Sequence, residues 1–107
     1  MKQILNFKDL SQPFFIAELS CNHGGSLEKA KTLIHQAKIA GVDAVKIQSY
    51  SPESITVKKF TEDHRIHEGV YKGQYLYDIY KKAQTPLTWI EPLFKHAKNL
   101  GIPIFSS

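Results

Sequence analysis

The chain has 107 residues, 42% of them hydrophobic and 22% charged, with a net charge of +4. That suffices for one small domain, and no stretch approaches the roughly 18 consecutive apolar residues of a membrane-spanning helix. The lysines are scattered among acids, and no basic run alternates with aromatics, so the charge suits an acidic small molecule better than a nucleic acid.

Met1 to Gln12 mixes polar and apolar residues and lacks a signal-peptide core. Cys21 is the only cysteine, so no internal disulfide can form. Both points lead to the expectation of a cytoplasmic protein. Phe14 to Ser20 is a short apolar run opened by Pro13 and closed by Cys21-Asn22-His23-Gly24-Gly25, which reads as strand then loop. Ser26 is positioned to cap a helix, with Glu28 near its positive end. Leu27, Ala30, Leu33, Ile34, Ala37 and Ala40 then make one apolar stripe at helical spacing. Gly41 is placed to end that helix in a left-handed turn.

Asp43 to Ser49 reads as a second strand, rich in Ala, Val and Ile. The stretch from Tyr50 to Pro86 is long for a connection in a compact domain, and such segments often serve as lids or binding loops. Within it Tyr75, Leu76, Ile79, Tyr80 and Ala83 have the spacing of a short helix. Thr88-Trp89-Ile90-Glu91 has capping-box spacing and predicts the start of a third helix. Leu93, Phe94, Ala97 and Leu100 form its apolar face, Gly101 ends it, and Ile102 to Ser107 reads as a third strand.

The junction Ala37-Lys38-x-x-Gly41-Val42-Asp43 returns as Ala97-Lys98-x-x-Gly101-Ile102-Pro103. Repeated β/α units imply parallel strands with helices packed outside. Parallel sheets need cover on both faces, and a (β/α)8 barrel takes about 250 residues. The expected fold class is therefore α/β, the first three β/α units of an incomplete TIM barrel.

Glu18 lies near the end of the first strand, and Lys46 and Gln48 near the end of the second. Alternation puts Lys46 and Gln48 on one face, and Glu18 and Ser20 on one face. At the C-terminal rim of a barrel these residues would converge on an active site. A structural ion pair between Glu18 and Lys46 is the other reading, since a charge in a core strand needs a partner. Asn22 and His23 sit in a polar loop that either faces a ligand or simply turns the chain. His64 and His67 have the spacing to share a helix face, but no third metal ligand accompanies them. Cys21 reads as a small buried residue, and Tyr75, Tyr77 and Tyr80 as packing.

Phe15-Ile16-Ala17-Glu18-Leu19-Ser20-Cys21-Asn22-His23 resembles the opening motif of the sialic acid synthase family. Gly41-Val42-Asp43-Ala44-Val45-Lys46-Ile47-Gln48-Ser49-Tyr50 resembles its second-strand motif. Glu18-Leu19-Ser20, Lys46 through Pro52, Leu76 through Tyr80 and Ala83 through Trp89 resemble the pseudaminic acid synthases within that family. Phe105-Ser106-Ser107 is similar to the beginning of a further strand-end motif. The resemblance runs from about Pro13 to Ser107.

It implies a (β/α)8 barrel that condenses phosphoenolpyruvate with an open-chain amino sugar. Carbon 3 of phosphoenolpyruvate attacks the sugar aldehyde, water adds at carbon 2 and phosphate leaves. A divalent metal, typically manganese, polarises that aldehyde, with histidine ligands from later strands. By the same resemblance Glu18 is the catalytic group that handles a proton or orients water, Lys46 holds phosphoenolpyruvate and Gln48 contacts the sugar. Asn22, His23 and Ser106 lie at the rim. The family's C-terminal antifreeze-like domain, which closes the partner's site in a homodimer, has no counterpart in these residues. The 107 residues alone are expected to be inactive. Two rival readings are a Schiff-base aldolase using Lys46 and a non-catalytic half-barrel that assembles through its last strand.

Overall fold

The computed structural model describes Lys8 and residues 11–107. The expectation for Met1 to Gln12 therefore lies almost wholly outside the described residues. Three parallel strands form one sheet in the order β1-β2-β3, with β1 at Ile16–Ser20, β2 at Ala44–Ile47 and β3 at Ile104–Ser106. Each is shorter than the sequence predicts, although backbone bonds run past the strand ends, as between Ser49 and Ser107. Helix α1, Leu27–Ile39, joins β1 to β2. Between β2 and β3 lie α2 (Pro52–Ile55), α3 (Leu76–Ala83) and α4 (Ile90–Leu100).

The two helices that cover the sheet stop in the same way. Val42 N–H donates to the Ala37 carbonyl and Gly41 N–H to that of Lys38. Ile102 N–H donates to Ala97 and Gly101 N–H to Lys98. Both are six-to-one, five-to-two closures. They require the left-handed backbone found at Gly41 (φ 86°) and Gly101 (φ 71°). Lys38 Nζ also donates to the Leu100 carbonyl, tying the end of α1 to the end of α4. The recurring Ala-Lys-x-x-Gly pattern is thus a repeated chain reversal that feeds each helix back into a parallel strand.

Ile34, Ala37, Val45, Ile47, Leu93, Ala97 and Ile102 make the core between the sheet and the α1–α4 layer. Ala40, expected in the stripe, is the exposed cap residue of α1. Ser26 caps α1 as predicted, its hydroxyl accepting from Lys29 N–H at 3.2 Å. The capping box at Thr88 does not form. A 3-10 turn at Leu87–Trp89 runs directly into α4, Trp89 is already in helical geometry, and no side chain caps the helix. The preceding turn makes a free N-terminal cap unnecessary.

Ile16 and Phe105 remain exposed, on the side of the sheet that α1 and α4 do not cover. An extra Cβ at Gly41 would meet no atom within 4 Å, so Gly41→Ala tests backbone strain alone. Gly41→Ala should lower unfolding stability by about 1 kcal/mol, and Leu93→Ala, in the core, by about 3 kcal/mol. Urea titration checks the ranking, and equal losses would refute it.

Candidate functional site

The parallel register sets Glu18 opposite Lys46, with Phe105 next along the same row. Lys46 Nζ lies 2.9 Å from Glu18 Oε2. The pair is partly exposed, with 29% of the Lys46 side chain and 44% of the Glu18 side chain accessible. An ion pair this open contributes at most about 1 kcal/mol, so it does little to hold the sheet together.

Glu18 Oε1 accepts from Ser20 N–H at 3.2 Å and from the Ser20 hydroxyl at 3.3 Å. To deliver both donors Ser20 adopts φ 49°, the only positive φ at a non-glycine among the described residues. The register shifts between Glu18 and Ser20 at the same point. This bulge breaks simple alternation, so Glu18 and Ser20 meet through a bent backbone rather than across a flat face. The Lys46 hydrogen bond pulls the Glu18 carboxyl below its ordinary range. The Lys46 charge and the Ser20 donors add to it, against an opposing effect of burial.

Gln48 follows β2, but the ladder bonds continue around it. Ser107 N–H donates to the Ile47 carbonyl at 3.2 Å and Ser49 N–H to the Ser107 carbonyl at 3.0 Å. Gln48 is half buried in extended backbone, two residues beyond Lys46. Ser106 has its Oγ 2.6 Å from Ser49 Oγ and donates to the Ser107 carbonyl at 3.2 Å. The Ser49 hydroxyl therefore donates to Ser106. Sequence reasoning passed over Ser49, because nothing local tells a hydroxyl at a strand end from any other serine.

The loop after β1 divides its two candidates. Asn22 is exposed, with its N–H on the Leu19 carbonyl at 3.1 Å. His23 turns inward and is only 3% exposed. Gly25 N–H donates to His23 Nδ1 at 3.0 Å, and Nε2 lies 3.0 Å from Thr85 Oγ1. The bare Nδ1 assigns the proton to Nε2, which donates to Thr85. Trp89 packs edge-on against the imidazole, ring centroids 5.1 Å apart. Burial lowers the His23 pKa. His23 thus anchors the loop and does not face an open rim. Thr85 was not singled out from sequence, since Gln84-Thr85-Pro86 reads only as a loop.

Cys21 is half buried with Sγ 3.9 Å from Thr85 Oγ1. Tyr50 packs edge-on to Tyr80, and burial together with the Cys21 thiol pushes its pKa up. Tyr77 is buried and donates to Glu53 Oε1 at 2.5 Å, while Phe60 packs against Tyr75 and Tyr77. The three tyrosines are packing residues, as read. His64 and His67 do not share a helix face. His64 ends a 3-10 turn and meets Thr61 Oγ1 at 2.9 Å, whereas His67 lies beyond it and donates to the Glu62 carbonyl at 3.1 Å. Among the described residues no group of three or more His, Cys, Asp or Glu could hold a metal ion.

Residues 33–107 match the NeuB family. Over 105 residues the chain is 48% identical to pseudaminic acid synthase of Campylobacter jejuni, a match covering 98% of this chain and 31% of that protein. It is 40% identical to pseudaminic acid synthase of Helicobacter pylori over 92% of this chain and 29% of that one. A solved structure of N-acetylneuraminic acid synthetase from Leptospira borgpetersenii, in complex with citrate, superposes with a TM-score of 0.67 at 25% identity. That match covers 89% of this chain and 29% of the other. The chain therefore spans about a third of the length of the curated relatives it matches.

The two lowered pKa values act in separate windows. His23 must stay neutral when folded, and its folded value lies below the ordinary 6.5. Its contribution is therefore present above 6.5 and lost as pH falls from there through the lowered folded value. The Glu18 contribution is present above the ordinary 4.5 and lost only as pH falls through its lowered folded value. Urea midpoints measured against pH should lose the upper slope in His23→Gln and the lower one in Glu18→Gln. An unchanged upper slope in His23→Gln would contradict the assignment.

Proposed function

The chain belongs to the NeuB family, and from that premise we propose that it supplies the first three β/α units of a (β/α)8 barrel synthase of pseudaminic type. The whole enzyme condenses phosphoenolpyruvate with an open-chain amino sugar, giving a nonulosonic acid and phosphate. The observation that carries this reading is the Glu18–Lys46 pair, held at 2.9 Å by strand register at the C-terminal end of the sheet.

Lys46 is suited to phosphoenolpyruvate because its ammonium has three donors and Glu18 engages one. The other two remain for a carboxylate or phosphate oxygen. Glu18, kept ionised beside Lys46, is an acceptor able to orient a water or take a proton. Gln48 offers an amide donor and acceptor to the sugar, and the Ser106 hydroxyl, fixed by Ser49, lies on the neighbouring strand end. Asn22 borders the same rim from the loop. A Schiff-base aldolase wants an amine in an apolar pocket. Lys46 instead faces a carboxylate, which favours the anion-holding role.

The family's divalent metal, manganese in this reading, does not fit the residues present. Glu18 is a single oxygen donor already engaged by a cation, and the described residues offer no ligand cluster. Its histidine ligands are assigned to later strands of the whole protein. The same reading makes the whole enzyme a cytoplasmic homodimer whose antifreeze-like domain lies outside these residues. No helix of the described residues is long and apolar enough to cross a membrane.

Two outcomes test the reading. The purified 107-residue chain, given phosphoenolpyruvate, amino sugar and manganese, should release no phosphate and form no nonulosonic acid; product would show that the site is complete without the remainder. In the full-length enzyme, Lys46→Met should raise the KM for phosphoenolpyruvate by about tenfold or more, with little change in the KM for the sugar. An unaltered phosphoenolpyruvate KM would remove Lys46 from the anion site.

A further inference from the structure

His23 and Thr85 are buried polar side chains, at 3% and 1% exposure, and they bond to one another. They come from distant parts of the chain. His23 lies in the loop leaving β1, and Thr85 in the connection between α3 and α4, 62 residues away. An apolar pair of similar shape would fill the space without the cost of burying polar groups. The retained polar pair fixes orientation, since both ring nitrogens and the Thr85 oxygen are committed in fixed directions. Thr85 receives the Nε2 proton and has its own hydroxyl proton free for the Cys21 sulfur at 3.9 Å.

The restrained loop begins at Ser20. This residue holds an unfavourable left-handed backbone while giving both donors to Glu18. Glu18 itself is exposed, and its only other polar restraint is the open ion pair to Lys46. The Glu18 acceptor and the turn bond from Asn22 N–H to the Leu19 carbonyl favour this backbone locally, against its intrinsic cost. Such strain persists when the surroundings over-determine it. The buried anchor three residues on adds to that constraint: the His23 carbonyl also accepts from Ser26 N–H at 3.1 Å, and Gly25 N–H is fixed on the same ring.

We propose that His23, with Thr85 as its partner, is a positioning residue that holds Ser20 in its left-handed turn and thereby aims the Glu18 carboxylate at Lys46. The proposal rests on the synthase reading only for the claim that Glu18 belongs to the active site. Around the ring, Thr85 and Trp89 touch it and Gly25 donates to it; Cys21 is reached through Thr85, and the Lys29 ammonium lies beside Gly24 of the same loop.

The experiment is nuclear magnetic resonance on the 107-residue chain, following the Glu18 side-chain carboxyl carbon through a pH titration and the Ser20 and Gly25 amides. His23→Leu and Thr85→Val should each move the Glu18 midpoint up toward 4.5 and displace the Ser20 amide resonance. His23→Gln, whose amide can still donate to Thr85, should retain most of the wild-type values. Ala97→Gly, in the core of α4, should lower the thermal midpoint and leave Glu18 and Ser20 unmoved. A folded Thr85→Val chain with wild-type Glu18 and Ser20 signals overturns the proposal. So does loss of the fold in both His23→Leu and Thr85→Val, which would make the pair purely structural. Because none of these readouts depends on turnover, a failure of the synthase reading leaves a positive result here intact, and the reverse also holds.

Discussion

Everything at the candidate site depends on the register between β1 and β2. Parallel pairing sets Glu18 across from Lys46 and leaves Val45 and Ile47 facing the helices. A slip of one residue would turn Lys46 into the α1–α4 layer and bring Val45 out. The register is protected mainly by that apolar layer, where Val45 is fully buried and Ile47 nearly so. A local clamp supports it at the N-terminal end. Phe15 N–H donates to the Asp43 carboxylate at 2.8 Å, and Asp43 N–H to the Phe15 carbonyl at 2.8 Å. The charged pair thus inherits its geometry from hydrophobic packing and backbone bonds that lie elsewhere in the sheet.

The helix closures do the same at larger scale. Each returns the chain after a helix at the angle a parallel strand requires, and the Lys38 bond to Leu100 joins the two ends. The described residues therefore form one layer of helix on one face of a sheet. Ile16 and Phe105 stay open on the other face. Parallel sheets are ordinarily covered on both faces, so the side that bears Glu18 and Lys46 is the side whose environment these residues determine least. The Glu18–Lys46 pair there is partly open to solvent, and its strength as a binding group would rise in a drier setting.

Much of this was legible in the sequence because it is local or periodic. The glycine stops were visible as Ala-Lys-x-x-Gly, since the left-handed turn demands glycine at a set distance from the last apolar residue. The Ser26 cap and the α1 stripe were visible for like reasons, and a Glu18–Lys46 ion pair was one of two readings, because a charge in a core strand needs a partner. What failed was tertiary. The Thr88 box yielded to a 3-10 turn that begins at Leu87. His23 looked like a rim residue because the sequence shows a polar loop and not the direction of one ring within it. Thr85 and Ser49 carried no signal, as each acquires its role from a partner 62 or 57 residues away.

The anchoring of Glu18 also bears on how an open site can be precise. Its carboxylate has two oxygens with divided duties: Oε2 meets Lys46, and Oε1 meets Ser20. An exposed ion pair alone allows two flexible side chains to sample many geometries. Backbone donation from Ser20 removes much of that freedom, because a main-chain N–H cannot swing away as a side chain can. The left-handed turn at Ser20 costs about 1 kcal/mol, and a lone hydrogen bond to a charged group offsets roughly that much or more. The arrangement is therefore close to balanced locally, and the buried contacts beneath the loop tip it toward order. Precision in the exposed carboxylate comes in this way from groups that never reach the surface.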